Sequence, residues 1–298
     1  MSAAPTVSRF LDLSALAGLQ HLRFSARQRI EGIHSGRHVS RRHGGAGEFA
    51  DFREYTEGED LRRLDWKVLA RTGRAYTRLY QDETNLACTL VLDASGSMNF
   101  GTGPSKLEYV QYLATALSEV IAWQQDQVGL AVASAGLREY LPAAGTRSHV
   151  TRLQEVIDQI RTRPATDLAG ALRTLFQRLT RRGVLLVMSD FLLDDVPDVF
   201  AALRLFRHRR WEVIVLHIVH PDEERLPDGA AYSFEGLELE GRVDCSPLEI
   251  REQYEKRFEA HCNSVRTLAL AAGSDYRRVS TAVPYLQTLG GFLVERTG

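Results

Sequence analysis

The chain of 298 residues is short of several things, and each shortage excludes a class. It has only three cysteines, Cys88, Cys245 and Cys262, scattered along the sequence. That is too few for a disulfide framework or a cysteine-based zinc site. Cys88 lies in an apolar run and reads as a buried thiol, and all three read as reduced cysteines of a cytoplasmic protein. Net charge is almost absent, with 37 Lys+Arg against 38 Asp+Glu, so the molecule is no polycation that coats nucleic acid. No run of about 18 uncharged apolar residues occurs, so no segment reads as a membrane span. The apolar stretch from Phe10 to Leu22 carries Asp12, Gln20 and His21 without a basic leader, and does not read as a signal peptide. Internal repeats and low-complexity tracts are missing too.

What is present is 44% hydrophobic and 25% charged residues, the composition of an ordinary globular protein large enough for one or two domains. Three textures follow one another. Residues 1–83 are polar and Arg-rich, with 14 Lys+Arg against 9 Asp+Glu through Tyr80. Residues 84–222 alternate apolar runs with amphipathic segments. Residues 223–298 open with a hairpin-like stretch and continue into a long helix that starts at Ser246-Pro247-Leu248-Glu249.

The middle region is the informative one. Leu86 to Leu92, Val128 to Ala133, Val184 to Met188 and Val213 to Val219 are continuous apolar runs, the mark of strands covered on both faces. Between them, Leu107, Val110, Leu113, Leu117, Val120 and Ile121 stripe a helix over 106–123, with Ser105 and Glu108 in a capping-box pattern. Leu168, Ala171, Leu172, Leu175, Phe176 and Leu179 stripe another over 167–181, and further helices are expected near 148–161 and 197–209. Strand and helix in alternation predict an α/β fold with a doubly wound, mostly parallel sheet, an Arg-rich N-terminal extension and a helical C-terminal extension.

Ligands of such sheets bind beyond the C-terminal ends of the strands. After the first apolar run comes Asp93-Ala94-Ser95-Gly96-Ser97; after the third comes Ser189-Asp190; and Thr166 stands just before a helix. In an extended turn alternate residues point the same way, so Asp93, Ser95 and Ser97 can converge, with Gly96 expected to permit a tight turn. Two carboxylates at one rim repel unless a cation lies between them. Hard oxygen donors select Mg²⁺, Mn²⁺ or Ca²⁺ over zinc or copper. A lone D-x-S-x-S also fits a capped strand-to-helix turn, Thr166 could simply cap the helix, and Thr162 competes for its place.

This arrangement resembles the metal-ion-dependent adhesion site of von Willebrand factor A domains, with Asp93, Ser95, Ser97, Thr166 and Asp190 as the corresponding set. The resemblance implies hydroxyl ligands, aspartates acting mostly through water, and an electron-poor ion able to accept a partner's Asp or Glu. A second resemblance comes from Gly44-Gly45-Ala46-Gly47-Glu48-Phe49-Ala50-Asp51-Phe52-Arg53-Glu54-Tyr55, continuing through Gly58-Glu59-Asp60-Leu61-Arg62-Arg63-Leu64-Asp65-Trp66-Lys67 to Ala70-Arg71-Thr72-Gly73. With the following D-x-S-x-S-M and Phe191, it is similar to the family called domain of unknown function 58, with Glu59 where that family usually has Asp. The resemblance implies a von Willebrand A-like domain paired with a MoxR-type AAA+ ATPase in chaperone-like maturation. It also implies a cytoplasmic member, since the two membrane helices common in the family do not open this sequence.

Other features are weighed against this reading. Arg53, Arg62, Arg63, Arg71 and Arg74 with Glu48, Asp51, Glu54, Asp60 and Asp65 fit a salt-bridge network or a docking surface for the ATPase. Gly44 to Gly47 is no phosphate loop, as no Gly-Lys-Ser/Thr follows, so the chain is not expected to hydrolyse ATP. Arg23, Arg27, Arg29, Arg37, Arg41 and Arg42 could meet nucleic acid but lack interleaved aromatics, and a solvated or protein-docking arm is expected instead. His217 reads as a core histidine, while His220 ends a strand near the candidate site. The expected function is a non-enzymatic binding module; the alternative is a metal-dependent hydrolase or phosphotransferase on the same acidic rim.

Overall fold

The computed structural model describes residues 8–26, 48–55, 64–81, 86–229, 231–238 and 241–297. Most of the basic arm and the Gly-rich and central parts of the N-terminal motif fall outside these residues. In chain order the elements are α1 (Leu13–Leu16), β1 (Glu48–Glu54), α2 (Trp66–Thr72), β2 (Tyr76–Gln81), β3 (Ala87–Asp93), α3 (Lys106–Trp123), β4 (Gln127–Ser134) and β5 (Gly136–Ala144). They continue with α4 (Arg147–Gln159), α5 (Leu168–Arg178), β6 (Val184–Ser189), α6 (Val196–His208), β7 (Glu212–Val219) and α7 (Pro221–Glu224). The chain then forms β8 (Tyr232–Glu235), β9 (Arg242–Cys245), α8 (Pro247–Ala271), β10 (Asp275–Ser280) and α9 (Tyr285–Thr297).

Six strands form the central sheet in the order β10-β7-β6-β3-β4-β5. All neighbours pair in parallel except β4 and β5, which are antiparallel. The four apolar runs are its four inner strands, and the pleat explains their composition. Leu90 and Leu92 of β3, Val132 of β4, Leu186 of β6 and Ile214 of β7 join one core with α3, α4 and α9. Val91, Ala131, Leu185, Val187 and Val213 face the other way, into a core with α5, α6 and α8. With both faces covered, neither parity can be polar.

The helix following β3 covers one face and the helix following β6 covers the opposite face. The crevice between the C-terminal ends of β3 and β6 is therefore the topological switch point of the sheet, where open α/β folds place their ligands.

Two strands of the central sheet are absent from the sequence reading, and both are its edges. The strand β5 is half-exposed, contains Pro142, and meets β4 with two register irregularities. The strand β10 reads DYRRVS, too polar to resemble a core run. Its pairing with β7 adds an edge strand from residues 223–298 to the central sheet. Residues 8–26 also enter this body, since Phe10, Leu16 and Phe24 are buried in the core of α3 and α9.

Arg296 fastens these pieces together. Its guanidinium pairs with Glu212 at the start of β7, reaches Asp275 of β10 at 3.2 Å, and donates to the carbonyl of Ser25 at 2.9 Å. Both Arg296 and Glu212 are buried. Removing one member of a buried ion pair leaves the other uncompensated, at a cost of about 3–5 kcal/mol. Arg296→Met is accordingly expected to lower unfolding stability in urea by about that amount, whereas the same change at exposed Arg204 should alter it by no more than about 0.5 kcal/mol.

Candidate functional site

The strand β3 delivers Asp93, buried, to the sheet's rim. One carboxylate oxygen accepts the Ser95 amide at 2.9 Å, which bends the chain into the next turn, and the other accepts the Ser189 hydroxyl from the end of β6 at 2.6 Å. The hydroxyls of Ser95 and Ser97 lie 3.1 Å apart, on alternate residues of one turn. Asp190 follows Ser189 on the adjacent strand end, so β3 and β6 bring the two aspartates to one rim. Burial, followed by the negative charge of Asp190, pushes the Asp93 carboxyl up to about 6 despite the Ser189 and Ser95 hydrogen bonds.

The loop carrying Thr166 is stapled to the same turn. Ser95 and Arg163 form a parallel bridge, the Arg163 amide donates to the Ala94 carbonyl at 2.9 Å, and the Asp167 amide donates to the Ser134 carbonyl at 2.5 Å. Asp167, not Thr166, is the N-cap of α5, its side chain accepting the Gly170 amide at 2.8 Å. Thr166 is thus released from the capping role that the sequence allowed for it, and its hydroxyl oxygen is buried without a hydrogen-bond partner.

Phe191 completes the turn after β6. Its φ of 54° lies in the left-handed region, unusual for an aromatic residue. The ring is fully buried, stacked on Phe200 and edge-on to His217, and this packing holds the strained backbone. The turn directs the Leu192 amide to the Asp190 carboxylate at 3.1 Å. Such strain concentrates where a side chain must be held in one orientation.

Three further charged residues reach the rim, and the sequence reading singled out none of them. Lys106, the first residue of α3, is completely buried, with its ammonium 2.5 Å from Asp190 and paired also with Glu223. Burial opposes its charge, but the carboxylates of Asp190 and Glu223 outweigh that, holding the ammonium above its ordinary value. Burial pushes the Glu223 carboxyl up against the opposing pull of Lys106. A signal for Lys106 did exist: it is one of only three lysines among 37 basic residues, and it opens a helix, where the dipole disfavours a cation. A compact ammonium suits a closed cavity that a forked guanidinium would not fit.

The third is Glu238, at the tip of the β8–β9 hairpin. Its carboxylate accepts the Ser97 amide at 3.0 Å. Gly96 does not adopt a positive φ, so the expected tight-turn role is not what its backbone shows. It makes room instead: a Cβ there would collide with the Leu237 carbonyl and lie 2.8 Å from Glu238 Cγ. His220 caps α7, its ring accepting the Asp222 amide at 3.2 Å while its own amide donates to Glu223 at 2.9 Å. His217 is buried and bonded to the Tyr276 hydroxyl at 2.9 Å, as a core histidine would be.

The donors fit a hard divalent ion. Among the described residues no three His, Cys, Asp or Glu side chains gather into a metal site of their own, so an ion here would depend on hydroxyls. Among the described residues, Asp93, Asp190, Glu223 and Glu238 against Lys106 leave the rim net negative when all are ionised, which favours a bound cation. The orphaned Thr166 oxygen is the donor that protein contacts leave unused. Asp93, Ser95, Ser97, Thr166 and Asp190 are the residues that could hold such an ion.

Comparison with known proteins adds a lineage. The chain is 26% identical over 293 residues to an uncharacterised protein of Mycobacterium tuberculosis, covering 96% of this chain and 90% of that protein. Among solved structures it is similar to BatB, a conserved hypothetical protein of Bacteroides thetaiotaomicron, with a TM-score of 0.46 and 16% identity over 72% of this chain and 99% of that one. It is also similar to an aerotolerance-related membrane protein of Bacteroides fragilis, with a TM-score of 0.48 and 18% identity over 71% of this chain and all of the other. The sequence profile of the family described as protein of unknown function DUF58 matches residues 51–264, most of the chain, and the protein belongs to that family.

Proposed function

We propose that this chain is a non-enzymatic protein-binding module that captures an acidic side chain of a client through a divalent cation, Mg²⁺ with Mn²⁺ or Ca²⁺ as alternatives. Asp93, Ser95, Ser97, Thr166 and Asp190 hold the ion in this reading. The observation that carries it is Thr166: a buried hydroxyl without a partner, in a loop stapled to the D-x-S-x-S turn, leaving a donor with no structural employment. When bound, the ion supplies an electron-poor coordination position for a carboxylate. The chain's own residues do the rest: the Asp93 turn aligns the two serine hydroxyls, and Lys106 fixes Asp190.

The partner belongs to the same proposal. A MoxR-type AAA+ ATPase is inferred from the family resemblance, with this chain as its adaptor in chaperone-like maturation in the cytoplasm. No described helix is long and apolar enough to cross a membrane, which is compatible with that setting. The rival reading, a hydrolase or phosphotransferase, needs a base beside the acidic rim. His220, the base that the sequence offered, has its Nδ1 engaged by the Asp222 amide, and His217 has its Nδ1 engaged by the Tyr276 hydroxyl.

Three measurements test the proposal. An ion that binds only the folded state at 100 times its Kd stabilises it by about 2.7 kcal/mol. Saturating Mg²⁺ is expected to raise the unfolding free energy of the wild type by about this much, and Asp93→Ala to abolish the gain while remaining folded. Lys106→Met leaves Asp190 and Glu223 buried and unpaired, so it should cost about 3–5 kcal/mol in chelator, with part of the loss recovered in Mg²⁺. A screen of phosphate and carboxylic esters with Mg²⁺ or Mn²⁺ should show no turnover; activity that disappears in Asp93→Ala would reverse the choice between binding and catalysis.

A further inference from the structure

The β8–β9 hairpin offers the rim the same chemical group that the proposed client would offer. Its strands pair only with each other among the described residues, separate from the central sheet. They are largely exposed, with Val243 at 62%. A lone two-stranded hairpin is marginally stable in water, so its placement depends on what its tip touches. The tip touches the D-x-S-x-S turn. Glu238 takes the Ser97 amide, and the Leu237 carbonyl lies where any side chain at position 96 would have to go. The turn and the tip are shaped to each other across 141 residues of sequence.

The charges around this contact bear on its strength. Glu238 approaches a rim that already carries Asp93 and Asp190, while the buried ammonium of Lys106 is committed to Asp190 and Glu223. The like charges of Asp93 and Asp190 oppose a further carboxylate, and positive charge placed at the rim favours it. A divalent ion would supply that attraction and at the same time create the position a client carboxylate would seek.

We infer that Glu238 is a built-in competitor for the acidic-side-chain site: the hairpin tip, Gly236 to Glu238, closes the rim, and a partner engages it by displacing the tip with an acidic residue of its own. This rests on the reading of the rim as a carboxylate receptor. The partner it selects is an exposed turn with an apolar residue before an Asp or Glu, as in Leu237-Glu238. The close approach demanded at Gly96 excludes ligands whose backbone cannot come up to the turn.

Hydrogen exchange on the full chain tests closure, and a labelled peptide tests the receptor. In Mg²⁺, Glu238→Gln and Gly96→Ala are each expected to speed amide exchange at least tenfold in residues 94–99 and 232–245. Chelator should loosen the wild type in the same segments. A fluorescein-labelled peptide of residues 232–244 should bind the Glu238→Gln protein at least tenfold more tightly than the wild type, only with Mg²⁺, and the peptide carrying E238Q should not bind. The Gly96→Ala protein should open yet fail to take the peptide, because its Cβ blocks the peptide as it blocks the tip. Unchanged exchange in both variants, equal peptide affinity for wild type and Glu238→Gln, or opening without capture of the peptide by Glu238→Gln would each overturn the inference. A Mg²⁺-dependent thermal shift that Asp93→Ala removes separates the cases. Its presence beside a negative hairpin result defeats only the closure, and its absence from wild type and Glu238→Gln alike defeats the ion site beneath it.

Discussion

The structure turns on the parallel pairing of β3 with β6, which sets two carboxylates side by side in a place with little water. Leu92 is in register with Met188, so Asp93 comes level with Ser189, whose hydroxyl it accepts, and Asp190 follows one residue beyond. Every other feature of the rim answers that crowding. Ser189 and the Ser95 amide take the two oxygens of Asp93; Lys106 and the Leu192 amide take those of Asp190. Even so, Asp93 keeps a raised affinity for a proton. Such a pair at the switch point maintains an electrostatic tension that positive charge relieves, as the Lys106 ammonium does for Asp190.

The same sheet explains how much of the architecture could be read beforehand. Inner strands are buried on both faces, so residues such as Val91 and Leu92, which point opposite ways, are both apolar and write a continuous run. The helix over 106–123 is equally plain, since its stripe and the Ser105 cap agree. Edges obey other rules. The residues of β10 carry charge because one side of that strand has no neighbour, and β5 alternates and bends, so neither matches the pattern of a core strand. Sequence reading sees burial, and only through burial does it see strands.

At the rim the division is similar. Asp93, Ser95 and Ser97 share one turn and their convergence follows from spacing; Asp190 follows from its place at a strand's end. Thr166 required the observation that Asp167 is the true cap. Lys106 carried a signal of its own, but its pairing with Glu223 was illegible because 117 residues separate the two and nothing marks Glu223 in its short helix. Glu238 was further out of reach: a glutamate in a polar turn has no sequence mark that distinguishes it from any solvated residue. Gly96 carried a correct signal under the wrong cause, since glycine serves close approach as well as backbone freedom.

The two margins of the central sheet carry a consequence of their own. On one side Pro142 interrupts the row of donors along β5, and on the other Arg277 and Arg278 stud β10. Chains that add themselves as a seventh strand need an uninterrupted, uncharged ladder, and neither flank provides one. Recruitment by sheet extension is thereby discouraged, and the molecule is left to meet other macromolecules end-on or across its helical coats.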